Sequence, residues 1–235
     1  MRLAISGTAG QGKTTLLNEF LENWKMYTTP EKSYRSLLTT DNHSKNTSKE
    51  TQWSILNLML DQLEQSSSDD FVIFDRCPLD NLVHTMWAYH KNVGDIDELF
   101  VEKCIPIVRE SMRLLDIIFM IPITNAAPAD IQDDGVRETD ADYIAEIDNF
   151  FKAMYTNWSK DDQRFFPKDD RTAIIEIFGT TEERIKLLGF YVDDSGKMFG
   201  EDDSLVDTNT LYDQFGIPVA ADASEGAEDN IKIYK

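Results

Sequence analysis

The chain is short of cysteine, histidine and positive charge. Two cysteines, Cys77 and Cys104, stand in 235 residues. They make neither a disulfide framework nor a metal-ligand pair, which is consistent with a reducing cytosol. Three histidines form no cluster with them, so the usual zinc spacings are missing and no hydrolase triad can be argued. Lys and Arg number 23 against 43 Asp and Glu, a net charge of −20. A field of that sign repels polynucleotide phosphates, so tight non-specific binding of DNA or RNA is disfavoured and only a local basic cleft would allow it. The same acid excess keeps a chain soluble. No apolar run approaches the roughly 20 residues of a membrane-spanning helix. The first strand begins at Arg2, leaving no room for a signal peptide, and the expected location is the cytoplasm. No internal repeat is visible. Apolar residues make up 41% of the chain, enough for a core, and the length suits one α/β domain with a small appendage.

What is present is more specific. Gly7-Thr8-Ala9-Gly10-Gln11-Gly12-Lys13-Thr14 fits the phosphate-loop pattern G-x-x-x-x-G-K-[ST]. Gly7, Ala9, Gly10, Gln11 and Gly12 offer backbone N–H groups that curl around phosphates, Gln11 through its backbone alone. Lys13 reaches the β- and γ-phosphates, and the Thr14 hydroxyl can ligate Mg²⁺. Thr15 lies in the first helical turn and either donates to the α-phosphate or is a plain helix residue. Residues 2–6 read as a buried strand and residues 14–24 as a helix. Strand, glycine-rich loop and helix N-terminus together make an anion site.

Further along, Tyr34–Leu38 suits a second strand, and Asp41–Glu50 is polar and loop-like. A helix carries Trp53, Leu56, Leu60 and Leu63 at spacings of three and four. Phe71–Asp75 reads as a buried parallel strand ending in a carboxylate. Asp80–His90 looks helical, and Asp95–Leu115 is helical with a break at Pro106. Asp116–Ile123 is another strand. Residues 125–141 form a polar segment containing Arg137. A long helix follows with Ile144, Ile147, Phe151, Met154 and Trp158, its start marked by Thr139 and Asp142 in a capping-box arrangement. Thr172–Phe178 is the last strand, and Gly179–Glu183 opens a short helix. The predicted fold is α/β: a three-layer P-loop sandwich, with a central parallel sheet of about five strands and helices on both faces. It covers residues 1–192, and 193–235 form an irregular acidic C-terminal extension.

Asp75 ends an apolar strand after the loop strand, as a Walker B carboxylate does. At the C-terminal edge of a parallel sheet it faces the ligand crevice. It either holds Mg²⁺ through water or accepts a proton from an acceptor hydroxyl, and a helix-capping role is the alternative. Arg76 can neutralise charge on a transferring phosphoryl group or bind the acceptor, unless it serves a structural ion pair.

The early phosphate loop, the Asp75-Arg76 strand end and a later arginine-bearing polar segment together resemble the P-loop nucleoside and nucleotide kinases. Thymidylate and deoxynucleoside kinases carry Asp-Arg or Glu-Arg at this strand end. Thr51-Gln52-Trp53, Ile55-Leu56, Gln62-Leu63 and Asp134-Gly135-Val136-Arg137 are closer to the ribosylnicotinamide-kinase-like subset, which also occurs in bacteriophages. The resemblance spans about residues 1–190. It implies ATP and Mg²⁺ as cofactors and a lid over the phosphates, from which Arg137 swings onto the transferring group. A second lid arginine common in the family is missing here, where Tyr143-Ile144-Ala145 stands. It also implies that Asp41, after the second strand, contacts or deprotonates the acceptor hydroxyl, the alternative being a loop aspartate that starts a turn with Asn42. Gln52 and Trp53 are candidates to hydrogen-bond and stack a base, although a Trp on an apolar helix face more often belongs to the core. His84, on the helix after Asp75-Arg76, is a candidate to face the acceptor cleft, although a lone His more often belongs to the surface or is satisfied in the core.

Three functions are compatible with these residues. The first is transfer of the γ-phosphoryl group of ATP to a nucleoside, a nucleoside monophosphate or a similar small acceptor. The second keeps the chemistry but uses a polynucleotide end or a hydroxymethylated base in DNA, against which the acidic composition argues. The third is a P-loop NTPase switch that binds a protein partner. The first fits best.

Overall fold

The computed structural model describes residues 1–38, 45–67, 70–125, 129, 139–159 and 172–198. Among these, four strands form one parallel sheet: β1 Arg2–Ser6, β2 Val72–Asp75, β3 Ile117–Met120 and β4 Ala173–Glu176, in the order β2-β1-β3-β4. Six helices accompany them: α1 Lys13–Asn23, α2 Lys49–Gln65, α3 Pro78–His90, α4 Glu98–Met112, α5 Ala141–Ser159 and α6 Thr181–Leu188. Successive strand side chains point to opposite faces, so each strand feeds two cores. Ala4, Phe74, Ile118 and Ile174 pack under α2, α3, α4 and α5. Leu3, Ile5, Ile73, Ile117 and Phe119 pack against Leu16, Leu17 and Phe20 of α1 and Leu188 of α6. Both faces being covered, the strands are nearly all apolar, as parallel strands must be.

That arrangement creates the crevice. The chain leaving β1 turns into α1 on one face of the sheet. The chains leaving the flanking strands β2 and β3 lead into helices on the other. Between such diverging connections a cleft opens at the carboxyl ends of the strands. Ile5 of β1 is in register with Asp75 of β2, and Ser6 with Met120 of β3. The residues just beyond them therefore share one rim.

Several expectations are corrected. Tyr34–Leu38 is not a strand: Tyr34–Leu37 forms a 3₁₀ turn, and the Ser33 hydroxyl oxygen accepts from the Arg35 N–H at 3.3 Å. None of its residues is buried, so the segment has no apolar face to lay on the sheet, and the local cap decides its form. What remains of a fifth strand is one bridge, in which the Thr28 N–H donates to Phe71 O and the Ile73 N–H to Thr28 O, both at 2.9 Å. Pro106 does not break α4. Cys104, Ile105 and Val108 are buried on either side of it, and their packing carries the helix past the lost N–H. Helix α3 starts at Pro78, where a proline costs no hydrogen bond. Helix α5 is capped by Asp140 rather than Thr139, its Oδ1 accepting from the Tyr143 N–H at 3.0 Å. Ile144, Ile147, Phe151 and Met154 are buried as their spacing predicts, and the side chain of Trp158 lies outside the described ones.

Residues 193–197 make a tight turn. Asp193 Oδ1 accepts from Ser195 N at 2.8 Å and from Lys197 N at 3.0 Å. Trp24 Nε1 donates to Asp193 O at 2.9 Å and the Tyr27 hydroxyl to Gly196 O at 2.6 Å, so the turn is held against the end of α1. Residues after 198 lie outside the described ones. No helix among the described residues is long and apolar enough to cross a membrane.

Candidate active site

The phosphate loop leaves β1 at Gly7, whose φ of 133° suits only glycine. A Cβ there would also lie 2.5 Å from the Ile121 carbonyl oxygen, so the loop rides directly on the chain leaving β3. Gly12, with φ 70°, is the N-cap of α1 and accepts the first helical bond, from Leu16 N at 2.9 Å. The Thr8 hydroxyl donates to Ile144 O at 3.0 Å, tying the loop to α5. The Lys13 ammonium folds back on the Thr8 carbonyl inside the loop. Lys13 is buried. Burial, helped by the Arg76 charge, holds its pKa well below the ordinary lysine value, against the pull of Asp80 and Asp75. The fold thus keeps a cation where its charge is poorly solvated and an incoming polyanion is its natural partner.

Asp75 and Arg76 stand beside it. Arg76 adopts φ 77°, an uncommon conformation for a residue with a side chain, at the turn between β2 and α3. Its backbone N–H still bonds Ile5 O at 3.0 Å. Its guanidinium is buried and donates from Nη1 to Gly7 O at 3.0 Å and to Asp80 Oδ1 at 2.8 Å, and from Nε to the Tyr34 hydroxyl at 3.1 Å. Burial opposes its charge, but Tyr34, Asp80 and Asp75 outweigh burial and raise its pKa further. Asp75 has one oxygen 3.7 Å from the Arg35 guanidinium, while its Oδ1 is buried with no hydrogen-bond partner among the described residues. A carboxylate oxygen in that condition is a vacant acceptor for a water, a cation or a hydroxyl proton.

The residue that organises this corner was not singled out in the sequence. Asp80 is 1% exposed and accepts from the Ser6 hydroxyl at 2.8 Å, from Cys77 N at 3.1 Å and from Gly7 N at 3.4 Å, besides Arg76. It thereby joins the end of β1, the phosphate loop and the start of α3. An acid one turn after Arg76 on a helix was the available signal. Tyr34 and Arg35 reach the site from a 3₁₀ turn, where the sequence predicts a strand.

Other candidates are placed elsewhere. The Gln52 amide is engaged within the fold, donating to the Thr47 hydroxyl at 2.8 Å and accepting from Asn81 Nδ2 at 2.7 Å. Trp53 sits edge-on to Phe100 with Lys103 Nζ 3.8 Å above its ring, against α4. Thr14 is half-buried and Thr15 exposed in the first turn of α1. Asp41 and Arg137, with most of the expected lid, lie outside the described residues.

His84 is half-buried one turn beyond Asp80, with Nδ1 2.9 Å from the Tyr143 hydroxyl. Burial, with the charges of Arg76 and Lys13, lowers its pKa from 6.5 to about 3. The imidazole is therefore neutral in the folded state at any working pH. An unfolded chain takes up this proton below its ordinary value and the fold does not, so the contribution is intact above pH 6.5 and is lost as pH falls towards 3. We expect the His84 ring resonances to stay constant between pH 8 and about pH 4. A titration midpoint near the ordinary value would contradict this placement.

A family model described as an AAA domain matches residues 2–173. The chain belongs to this AAA domain family. No curated protein matches it. Among solved structures, the AAA-domain chain is similar to deoxyadenosine kinase from M. mycoides with dCMP and dCDP bound. The identity is 20%, the TM-score 0.59, and the match covers 80% of this chain and 96% of that one. It is also similar to the NadR protein in complex with NR, at 15% identity and TM-score 0.54, covering 86% of this chain and 53% of that one. These likenesses are of fold. They place the AAA-domain chain in the α/β P-loop architecture that its loop motif predicts, with four parallel strands among the described residues.

Proposed function

We propose that the protein is a P-loop phosphotransferase that moves the γ-phosphoryl group of ATP to a nucleoside, a nucleoside monophosphate or a similar small acceptor. The observation that carries this reading is Asp75. It is a strand-end carboxylate with a buried, unpartnered oxygen, set among the cations Lys13, Arg76 and Arg35 at the mouth of the phosphate loop. A purely nucleotide-binding switch has no need of an arginine locked beside that carboxylate. Phosphoryl transfer to a second substrate does, because charge spreads over the transferring oxygens while a hydroxyl must be aligned. The fold-level neighbour described as deoxyadenosine kinase supports this choice.

In this reading the loop amides and Lys13 hold the β- and γ-phosphates. Arg76 neutralises the transferring group from the acceptor side. Asp75 orients the acceptor hydroxyl, whose oxygen forms the new P–O bond as the bond to ADP breaks and whose proton passes to the Asp75 carboxylate and on to solvent. Thr14 and, through water, Asp75 would hold the nucleotide's Mg²⁺, which would supply further neutralisation of phosphate charge, and the unpartnered Asp75 oxygen fits that use. Arg137 and Asp41 remain sequence candidates for the lid and the acceptor site.

Asp75→Asn tests the assignment. It keeps the shape, removes the charge, and is expected to lower turnover about a hundredfold and to raise the Mg²⁺ concentration needed for half-maximal rate. Unchanged turnover and an unchanged Mg²⁺ profile would leave Asp75 a structural residue and remove the support for this reading.

A further inference from the structure

Arg184 lies on α6, beyond the residues matched by the family model. It is 5% exposed and donates from Nη1 to the backbone carbonyl of Gln11, at the crown of the phosphate loop, at 2.6 Å. The same Nη1 lies 3.7 Å from where a Cβ on Gly12 would stand. Among the described residues its Nε has no acceptor and no carboxylate pairs with its guanidinium. Burying a guanidinium without a carboxylate is costly, and burial lowers its pKa accordingly. Such a residue is an expensive way to fill space on the outside of a loop.

The geometry explains what it achieves. Gln11 C=O and Gly12 N–H belong to one planar trans peptide, so they point in opposite directions. Gly12 adopts φ 70°, a conformation open to glycine in which that peptide can face either way at little cost. A charged donor fixed on the Gln11 carbonyl holds the Gly12 N–H pointing the opposite way, away from Arg184. Charge-assisted bonds of this kind are about twice as strong as neutral ones.

We propose that Arg184 is a positioning residue for the donor nucleotide: through the Gln11–Gly12 peptide it sets a phosphate-binding amide in place before ATP arrives. The inference rests on the donor site proposed above and concerns ATP binding alone, independently of the acceptor. Its consequence is a division of labour, in which α6 tunes ATP affinity while the α3 corner serves the transfer.

The experiment compares the full-length protein with Arg184→Met and Arg184→Lys, measuring binding of a fluorescent ATP analogue and of unlabelled ATP by competition, with thermal melting alongside. Arg184→Met should weaken ATP binding about tenfold, the loss of one charge-assisted bond. Arg184→Lys, which keeps a donor, should recover most of it, although both variants lose the planar fork and melt similarly. Where turnover is measured, KM for ATP should rise with KM for the acceptor unchanged. Wild-type affinity in Arg184→Met would overturn the inference and leave the donor site standing. Equal weakening in both variants, in step with lowered melting, would also overturn it, assigning Arg184 to packing alone. If the wild-type protein itself binds no ATP, the donor-site reading fails and takes this inference with it.

Discussion

Lys13→Ala should lower phosphoryl transfer on the order of a thousandfold while the protein melts within a few degrees of the parent. The two halves of this expectation have one cause. The ammonium is buried, turned onto the Thr8 carbonyl and next to Arg76, and its pKa is depressed. A base whose pKa is lower in the folded than in the unfolded chain carries a charge that the fold disfavours. Removing that charge relieves the penalty, offsetting the lost hydrogen bond and stem packing. In the transition state the same charge lies where negative charge grows on the transferring group, in a site that water does not screen. Initial rates with Mg-ATP and a thermal melt decide both points. Turnover within tenfold of the parent would remove Lys13 from the chemistry, and a collapse in melting temperature would make it structural.

Asp80→Ala should be the most destabilising single change in the site, costing about 3–5 kcal/mol. Asp80 is the carboxylate of the buried Arg76 pair, with an Nη1–Oδ1 distance of 2.8 Å. Deleting it strands a guanidinium that is only 7% exposed and also frees the Ser6 hydroxyl and the N–H groups of Gly7 and Cys77. Breaking a buried pair from one side costs far more than the pair contributes, because the partner's charge stays behind. Asp80→Asn keeps an acceptor and should cost less. Urea unfolding of the three proteins measures the difference; a loss under about 1 kcal/mol for Asp80→Ala would show that Arg76 finds another partner. Activity should fall with Asp80→Asn even where the protein is folded, since Arg76 then loses the carboxylate charge that holds its guanidinium in place.

The sequence was most informative where chemistry is local. Gly7 to Thr14 announces itself because the loop needs glycines at set positions, and the apolar run ending in Asp75 marks a strand edge by composition alone. The paired cores were legible from Val72–Phe74 and Ile117–Met120, whose unbroken apolar runs require cover on both faces. What escaped depends on contacts distant in the chain. Asp80 matters through Ser6 and Gly7, 74 and 73 residues away, and Arg184 through Gln11, 173 residues away. No spacing rule connects such positions. Tyr34–Leu38 misled for a different reason: aromatic and aliphatic residues favour a strand, but a hydroxyl cap at Ser33 and the lack of a buried face decided otherwise.

The central claim is tested most directly by following γ-labelled phosphate from Mg-ATP into separated pools of nucleosides, nucleoside monophosphates and DNA ends. The account predicts label on a nucleoside or nucleoside monophosphate, abolished by Lys13→Ala and strongly reduced by Asp75→Asn. Label only on DNA, or release of free phosphate alone regardless of acceptor, would contradict it.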